Sequence, residues 1–356
     1  MTRKKYGLFA AMTVIGSIAI SIIVAELSFR ALGVEMRYLN PLRSFHVQDP
    51  VYGYRVRANF QGRFASLAGF DVLVKHDNRG FRLHESECPT DDRLPRLFVY
   101  GDSYTWGWGV EQGEVFTDLL NQHHPEICVV NRGLNGSGTV QQYTIFENED
   151  LPEARRGDFV LLMLCFNDFK DNYDRAKTVT AIIEDGSVRR IPPRKRFQSP
   201  FQSFIKRHSY VVNAVSRGSG TIKHLLAKWS SERKTNGKSI HEIEMVADDP
   251  RVIVTQYFIK QFSDRCQEVG LDFRVAIIPS ASQYKQYHSQ YVRILRELEV
   301  TEIDLLEGFR IEQEAIGDKS LFLEKDPHWN RQGHALVSRI LASHYYEQTD
   351  PSRTIP

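Results

Sequence analysis

The sequence lacks the cysteine patterns that bind metal ions. Its 356 residues include four cysteines, which lie far apart and form neither a C-x-x-C pair nor another metal-ligand spacing. Internal repeats are also absent, which excludes a solenoid, and there is no low-complexity tract. The net charge is only +2, so a strong charge of either sign is missing. Net charge therefore gives no indication of a nucleic-acid partner.

The cysteines have structural interpretations instead. Cys165 lies in an apolar run and is interpreted as a small buried hydrophobic residue. A disulfide between Cys88 and Cys128 is conceivable if the chain lies outside the cytoplasm, but the sequence does not establish it.

A long apolar run stands at the N-terminus. Arg3, Lys4 and Lys5 precede a stretch without charge, Tyr6 to Ala25, which is long enough to cross a bilayer as a helix. The basic flank places the N-terminus in the cytoplasm and the rest outside. A cleaved signal peptide is the alternative, but a clean Ala-x-Ala site is missing and the run exceeds a typical signal core. We expect residues 1–29 to be an uncleaved single-pass anchor in the cell inner membrane, with the remaining chain periplasmic or extracellular.

Two further regions follow the anchor. Residues 30–95 have short alternating runs and a turn at Asp77-Asn78-Arg79-Gly80, which predicts a membrane-proximal β-rich segment rather than an independent core. Residues 96–348 alternate apolar strands with helical patterns, which predicts an α/β domain with three layers (α/β/α) and a five-stranded parallel sheet. The expected strands are Leu97–Tyr100, Ile127–Asn131, Asp158–Cys165, Asp272–Pro279 and Ile303–Leu306.

A basic insertion, residues 174–248, interrupts this alternation. Between Arg175 and Ile240 we count fifteen Lys and Arg residues against three acidic residues, and we find no convincing core strand. A solvated basic face is one interpretation. The others are a lid over the site, a contact with anionic lipid head groups, or a groove for an acidic polymer. Nucleic acid is disfavoured, because the segment is expected on the non-cytoplasmic side.

The chain is organised around Gly101-Asp102-Ser103. A buried strand ends there in a tight turn, delivers one serine and is followed by a helical pattern. Strand, turn, serine and helix expose a nucleophilic hydroxyl at the carboxyl edge of a parallel sheet. Gly-Asp-Ser is also ordinary turn chemistry, so the serine needs a base, an orienting group and oxyanion donors from elsewhere in the chain.

A candidate base stands directly before the last helical pattern. His328 lies in a loop that returns to the sheet edge of Ser103, and it can take the proton from the serine hydroxyl. Asp326, two residues earlier, can hold the imidazole in the required tautomer. We interpret His334, at the start of the helix, as structural.

Oxyanion donors are expected from three strand ends. The backbone amide of Ser103 is one donor, and a glycine-rich loop offers the amide of Gly136. Asn167 follows the third strand, where a buried side-chain amide needs a partner and can donate into the same pocket. Asp168 is expected to brace the following turn.

These blocks together resemble the SGNH (GDSL-type) hydrolase superfamily, which implies a flavodoxin-like α/β fold. The resemblance implies that Ser103 is the nucleophile and His328 its base, and that Gly136 and Asn167 complete the oxyanion hole. Two positions depart from the usual pattern. Cys165 replaces the glycine of the third block, and Lys325 replaces the aspartate three residues before His328, so Asp326 takes that role. Glu324 is the fallback, and a Ser–His dyad is a further alternative.

The chain is also similar to the membrane-anchored bacterial branch of this superfamily, on its N-terminal helix, Arg79-Gly80-Phe81 and the Gly-Asp-Ser-Tyr-Thr-Trp-Gly turn. The resemblance and the compartment imply an esterase that removes acyl groups, chiefly acetyl, from glycans or small molecules without a metal or cofactor. Alternatives are an O-acyltransferase acting on surface polysaccharide, a lipid esterase, and a non-catalytic glycan-binding protein on the same fold. Three tryptophans offer a sugar platform or core packing: Trp106, Trp108 and Trp329.

Overall fold

The computed structural model describes residues 3–39, 45–66, 69–85, 94–173, 178–194, 204–205, 208–216, 218, 247–279, 284–316 and 321–346. The chain forms two compact units, which we call the anchor unit and the catalytic unit after the roles that the sequence leads us to expect. The anchor unit is Met1–Ser44 with Arg196–Ile240, and the catalytic unit is Phe45–Lys195 with His241–Pro356.

The described residues form the following strands and helices. The strands are β1 (His46–Asp49), β2 (Gly53–Val56), β3 (Gln61–Ser66), β4 (Phe70–Lys75), β5 (Arg96–Gly101), β6 (Cys128–Gly133), β7 (Phe159–Leu164), β8 (Thr180–Glu184), β9 (Ser187–Ile191), β10 (Asp272–Ile277) and β11 (Thr301–Ile303). The helices are α1 (Arg3–Ala31), α2 (Met36–Leu39), α3 (Ser103–Trp106), α4 (Phe116–His123), α5 (Thr139–Ile145), α6 (Asp168–Asp171), α7 (Pro250–Val269), α8 (Tyr284–Glu297), α9 (Leu305–Ile316) and α10 (Arg331–Tyr345).

A five-stranded parallel sheet, in the order β11-β10-β7-β5-β6, forms the centre of the catalytic unit. This confirms the predicted fold class. Strand β5 lies between its next two strands in the chain, β6 on one side and β7 on the other. The order in which successive strands are added to the sheet therefore reverses at β5. Proteins of the α/β class place their ligand sites at such a switch point.

Alternate residues of β5 pack against helices on opposite faces of the sheet. Leu97 and Val99 belong to one core cluster with residues of α4, α9 and α10. Tyr100 faces the other side, where its ring contacts Phe146 after α5 and Phe262 of α7. Side chains that point alternately to opposite faces of a strand explain why these strands read as continuous apolar runs.

Two antiparallel hairpins precede the sheet, β1–β2 and β3–β4. They fall within the segment expected to be β-rich, and they pack as part of the catalytic unit. Phe45 and Phe64 are fully buried, and both rings contact Trp106, which closely follows the Gly101-Asp102-Ser103 turn. Buried aromatic rings of this size contribute strongly to packing.

Most predicted strands match within two residues, but the fifth strand was placed wrongly. It ends at Ile303 rather than Leu306, because Leu305 begins α9 and is buried in the core. The segment 174–248 holds a hairpin, β8–β9, that the sequence analysis missed. This hairpin lies outside the five-stranded sheet, and most of the remaining insertion lies outside the described residues.

In the anchor unit, helix α1 contains an apolar stretch, Tyr6–Ala31, that is long enough to cross a membrane. The same length and composition also fit a signal sequence near the N-terminus. Near its end, the Glu26 carboxylate accepts hydrogen bonds from the Ser209 hydroxyl and from the backbone N–H groups of Tyr210 and Val211. These contacts join part of the basic insertion to α1 within this unit.

The cysteines differ in their state. Cys165 and Cys266 are free and buried, as the apolar surroundings of Cys165 predict. Cys128 is disulfide-bonded, and the partner considered in the sequence analysis, Cys88, lies outside the described residues.

We expect acid to destabilise the catalytic unit through His76, which is 3% exposed among the rings of Phe45, Phe60 and Trp106. Burial, together with the charge of Arg82, lowers the pKa of His76 to about 3. The unfolded chain binds this proton near pH 6.5, whereas the folded chain does not, so stability falls as pH decreases from about 6 toward 3. The loss is at most about 1.4 kcal/mol for each pH unit.

The unfolding midpoint of the full chain in detergent should therefore decrease when the pH is lowered from 7 to 4. In His76→Leu this decrease should be smaller. An identical pH profile for the variant and the wild type would contradict this assignment.

Candidate active site

Ser103 stands just beyond the carboxyl end of β5, the strand between β7 and the edge strand β6. β5 ends at Gly101, and Asp102 then caps the short helix α3, because its carboxylate accepts a hydrogen bond from the Tyr104 backbone N–H at 3.0 Å. A capping aspartate before a helix starts the new element within one residue of the strand. The serine hydroxyl consequently lies half-buried at the edge of the sheet.

His328 lies within hydrogen-bonding distance of this serine. The distance from Ser103 Oγ to His328 Nε2 is 2.7 Å, although the two residues are 225 positions apart in the chain. On the other side of the ring, His328 Nδ1 is hydrogen-bonded to Asp326 Oδ1. The structure therefore brings Ser103, His328 and Asp326 together in one continuous hydrogen-bonded chain.

The short Asp-x-His spacing has a local explanation. The oxygen of Asp326 that contacts the imidazole, Oδ1, also accepts a hydrogen bond from the His328 backbone N–H at 3.0 Å. An aspartate side chain bound to the backbone two residues later forms an Asx turn. The same carboxylate therefore closes the turn and orients the ring, so a spacing of two residues is sufficient.

The loop that carries His328 is fixed directly after the histidine. Trp329 is fully buried, and its indole N–H donates to the Pro279 carbonyl, just beyond β10, at 3.0 Å. The Asn330 side chain accepts from the N–H groups of Gln332 and Gly333 and thereby caps α10. Because a strong cap begins the helix here, α10 starts three residues before the expected His334.

Partial burial alone would raise the pKa of Asp326. The hydrogen bonds from His328, and the charge that its ring carries when protonated, outweigh this effect with help from the Trp108 N–H, so the pKa of Asp326 is lowered. Asp326 therefore stays ionised at neutral pH and accepts the Nδ1 proton of His328. This leaves Nε2 unprotonated and facing Ser103, which is the tautomer a general base requires.

Two further carboxyl groups are buried behind the serine, those of Asp102 and Asp168. Burial raises the pKa of Asp102, and burial together with the charge of Asp102 raises the pKa of Asp168 well above its usual range. The Cys165 thiol is hydrogen-bonded to Asp102, and the Cys165 backbone N–H and the Thr139 hydroxyl contact Asp168. Cys165, at the glycine position of the usual pattern, thus supplies a partner for a buried carboxyl.

The expected oxyanion donors stand at the neighbouring strand ends. Gly136 follows β6 and has a φ of +71°, a conformation that favours glycine, while the Tyr54 hydroxyl donates to the adjacent Asn135 carbonyl. Asn167 follows β7, and its side-chain amide donates to Asp171 at 2.8 Å. That contact uses one of the two N–H groups of Asn167, and the other has no partner among the described residues.

Two aromatic residues contact His328 in a way that the sequence did not predict. The ring of Tyr104 lies 4.5 Å from that of His328, and the ring of Trp108 stacks on it at 5.1 Å. Of the two interpretations of the tryptophans, core packing applies to Trp106 and Trp329, because both are fully buried. The one signal for Trp108 was its position in the chain, two residues beyond the short helix that starts at Ser103.

His334 has a structural position, as expected. It is buried, stacks on the ring of Phe116 and contacts the Phe116 backbone N–H through Nδ1. Burial, with the charges of Arg82 and His328, lowers its pKa to about 3, which keeps the ring neutral. Within the described ranges, His, Cys, Asp and Glu side chains form no group of three that could hold a metal ion.

Residues 99–336, well over half of the chain, match the model of the GDSL-like Lipase/Acylhydrolase family. The chain belongs to this family of ester-hydrolysing enzymes, which confirms the resemblance found in the sequence. A comparison with curated protein sequences gives no match.

Several solved structures are similar to the chain. One is a member of the lipolytic G-D-S-L family from Veillonella parvula, with 12% identity, a TM-score of 0.41, and coverage of 72% of this chain and 100% of that one. Another is a lipase/acylhydrolase from Enterococcus faecalis, with 13% identity, a TM-score of 0.41, and coverage of 73% and 100%. A third is an acetylxylan esterase from Geobacillus stearothermophilus, with 15% identity, a TM-score of 0.39, and coverage of 73% and 97%. Identities this low give no information on substrate.

The role of Asp326 can be tested against its neighbour Glu324, which is exposed. We expect Asp326→Ala to slow labelling of the chain by a fluorophosphonate roughly 10²- to 10⁴-fold, because His328 loses the group that fixes its tautomer. The labelling rate is measured by intact-protein mass spectrometry.

Glu324→Ala is the matched control and should label at the wild-type rate. A slow Glu324→Ala variant beside a fast Asp326→Ala variant would assign the third position to Glu324 instead.

Proposed function

We propose that the protein is a serine esterase that hydrolyses O-acyl esters through an acyl-serine intermediate. The observation that carries this proposal is the contact of 2.7 Å between Ser103 Oγ and His328 Nε2, with Asp326 on the far side of the imidazole. A serine hydroxyl is a poor nucleophile unless a base removes its proton, and this arrangement supplies the base and its orienting group.

The reaction follows from the positions of these atoms. Ser103 Oγ attacks the ester carbonyl while His328 Nε2 takes the hydroxyl proton, and the ionised Asp326 stabilises the imidazolium that forms. His328 then returns the proton to the leaving alcohol, which leaves the acyl group on Ser103. Water attacks this acyl-serine by the same steps in reverse, which releases the carboxylic acid and restores the serine.

The negative charge that develops on the carbonyl oxygen needs donors. We assign this role to the backbone amides of Ser103 and Gly136 and to the free side-chain N–H of Asn167. These three residues follow the ends of the neighbouring strands β5, β6 and β7, and this placement supports the assignment. Donors held in place before the reaction stabilise the transition state without reorganisation.

We propose short acyl esters, chiefly acetyl, on extracytoplasmic glycans or small molecules as the substrates. The family match supports an ester, and the apolar helix α1 supports an extracytoplasmic location for the catalytic unit. In this proposal the helix is an uncleaved anchor in the cell inner membrane, and the catalytic unit is periplasmic or extracellular.

Transfer of the acyl group to a second sugar is the main alternative, since it uses the same residues and differs only in whether a hydroxyl or water accepts the acyl group. Lipid deacylation is a second alternative, favoured by an apolar helix that would keep the chain at a membrane. A non-catalytic glycan-binding protein is the third, and the hydrogen-bonded Ser103–His328 contact is evidence against it.

The test uses the full chain in detergent micelles and its Ser103→Ala variant. With p-nitrophenyl acetate we expect serine-dependent hydrolysis, and we expect Ser103→Ala to lower kcat/KM at least about 10³-fold, because no other group replaces the nucleophile. Ser187→Ala changes an exposed serine of β9 and should retain full activity.

The substrate class is then tested with acetylated oligosaccharides, phospholipid vesicles and esters of increasing acyl length. Faster release from phospholipid than from short esters would favour the lipid esterase. Acyl transfer that exceeds hydrolysis when an acceptor sugar is added would favour the transferase. If none of these esters is hydrolysed in a Ser103-dependent way, the proposal that the protein is an enzyme is contradicted.

A further inference from the structure

We propose that Trp108 is a positioning residue for the Asp326–His328 pair, and that Arg82 and the hairpin β3–β4 hold it in place. The proposal rests on the proposed function, because it assigns a role at the same catalytic site. Trp108 lies in the loop after α3 and belongs to none of the sequence blocks that identify the nucleophile, the base or the oxyanion donors.

Trp108 fixes the second oxygen of the catalytic carboxylate. Its indole N–H donates to Asp326 Oδ2 at 3.1 Å. The other oxygen, Asp326 Oδ1, is hydrogen-bonded to the ring and to the backbone N–H of His328. A carboxylate held through both oxygens cannot rotate about its terminal bond without losing a hydrogen bond. The plane of the carboxylate, and with it the direction in which it holds the imidazole, is therefore fixed.

The exposure of the pair makes this contact important. The side chain of Asp326 is 14% exposed and that of His328 is 16% exposed, so water reaches the site. Water would compete for the oxygen that Trp108 occupies, and a hydrogen bond to a charged acceptor is stronger than one between neutral groups. The indole N–H replaces that mobile partner with a fixed one.

Trp108 also restricts the imidazole itself. The two rings stack with centroids 5.1 Å apart and an angle of 21° between their planes. Tyr104 provides a second ring at 4.5 Å, and its hydroxyl donates to the carbonyl of Pro327, the residue between Asp326 and His328. The face of an indole also attracts a cation, which favours the imidazolium formed during the attack.

Arg82 fixes the backbone on both sides of Trp108. Its guanidinium is buried and donates to the Gly107 carbonyl and to the Val110 carbonyl, each at 2.8 Å. A fork of planar N–H donors suits two carbonyls at a set separation. Gly109, between them, has a φ of +79°, and a side chain there would meet the side chain of Leu323 first and then the ring of Phe70.

The hairpin β3–β4 supports the indole directly. The ring of Phe64 in β3 meets that of Trp108 edge-on, with centroids 4.7 Å apart and an angle of 79°. Phe64 and Arg82 both precede residue 99, where the family match begins. The segment before the matched region therefore acts on the catalytic pair through Trp108.

The decisive variant is Trp108→Phe in the full chain, because it keeps a ring for stacking and removes the N–H donor. We expect kcat for p-nitrophenyl acetate to fall about 10- to 100-fold, the range for a lost hydrogen bond to a charged group, while KM changes less than about twofold. Trp106→Phe is the matched control, since the Trp106 N–H has no hydrogen-bond partner among the described residues. It should lower the unfolding midpoint and keep kcat within about twofold of wild type.

A double-mutant cycle separates positioning from general damage. If Trp108 acts through Asp326, Trp108→Phe should have no further effect on kcat in an Asp326→Ala background. An equal loss in both backgrounds, or a Trp108→Phe variant as active as the wild type, would overturn the proposal.

A second readout is independent of turnover. The chain has four tryptophans, so ¹⁵N-tryptophan labelling gives four indole N–H signals, and the one absent in Trp108→Phe identifies Trp108. We expect Asp326→Ala to shift this signal and Glu324→Ala to leave it in place. A signal that does not move in Asp326→Ala contradicts the role of Trp108. A normal shift without Ser103-dependent hydrolysis in the wild type contradicts the proposed function instead, and with it any catalytic role of the contact.

Discussion

The hydrogen bond between Ser103 Oγ and His328 Nε2 is the interaction on which the rest of the site depends. It joins two residues 225 positions apart, so it exists only because the sheet brings both chain segments to one edge. Strand β5, between β7 and β6, brings the serine to the carboxyl edge of the sheet, and the cap of α10 fixes the loop that carries the histidine. A base must be within hydrogen-bonding distance of the proton that it removes, and an error of 1 Å is costly. Much of the surrounding packing can be understood as the means of holding this one distance.

The sequence was sufficient to predict the fold and the residues that meet at the edge of the sheet. Apolar runs separated by helical patterns indicate parallel strands, because both faces of such strands are buried. Ser103, Asp326 and His328 were recognisable since strand ends, caps and short motifs have local signatures. The end of the fifth strand was misplaced because Leu305 is apolar in either element, and only the packing of α9 decides between them.

The supporting structure was not predictable for a physical reason. Trp108 contacts Asp326 across 218 positions, and Arg82 reaches carbonyl groups about 25 residues later in the chain. Neither contact leaves a periodic pattern, because each depends on the exact path of two loops. A tryptophan near a core strand is typically core packing, as Trp106 and Trp329 are. Only the coordinates distinguish Trp108 from these neighbours.

The central claim is that Ser103 carries the acyl group during turnover. The most direct measurement is rapid acid quenching of the full chain during reaction with p-nitrophenyl acetate, followed by mass spectrometry of the peptide that contains Ser103. We expect an acetyl group on Ser103 in the wild type and none in His328→Ala. Equal acetylation of Ser103 in His328→Ala, or an acetyl group on another residue of the wild type during turnover, would contradict it.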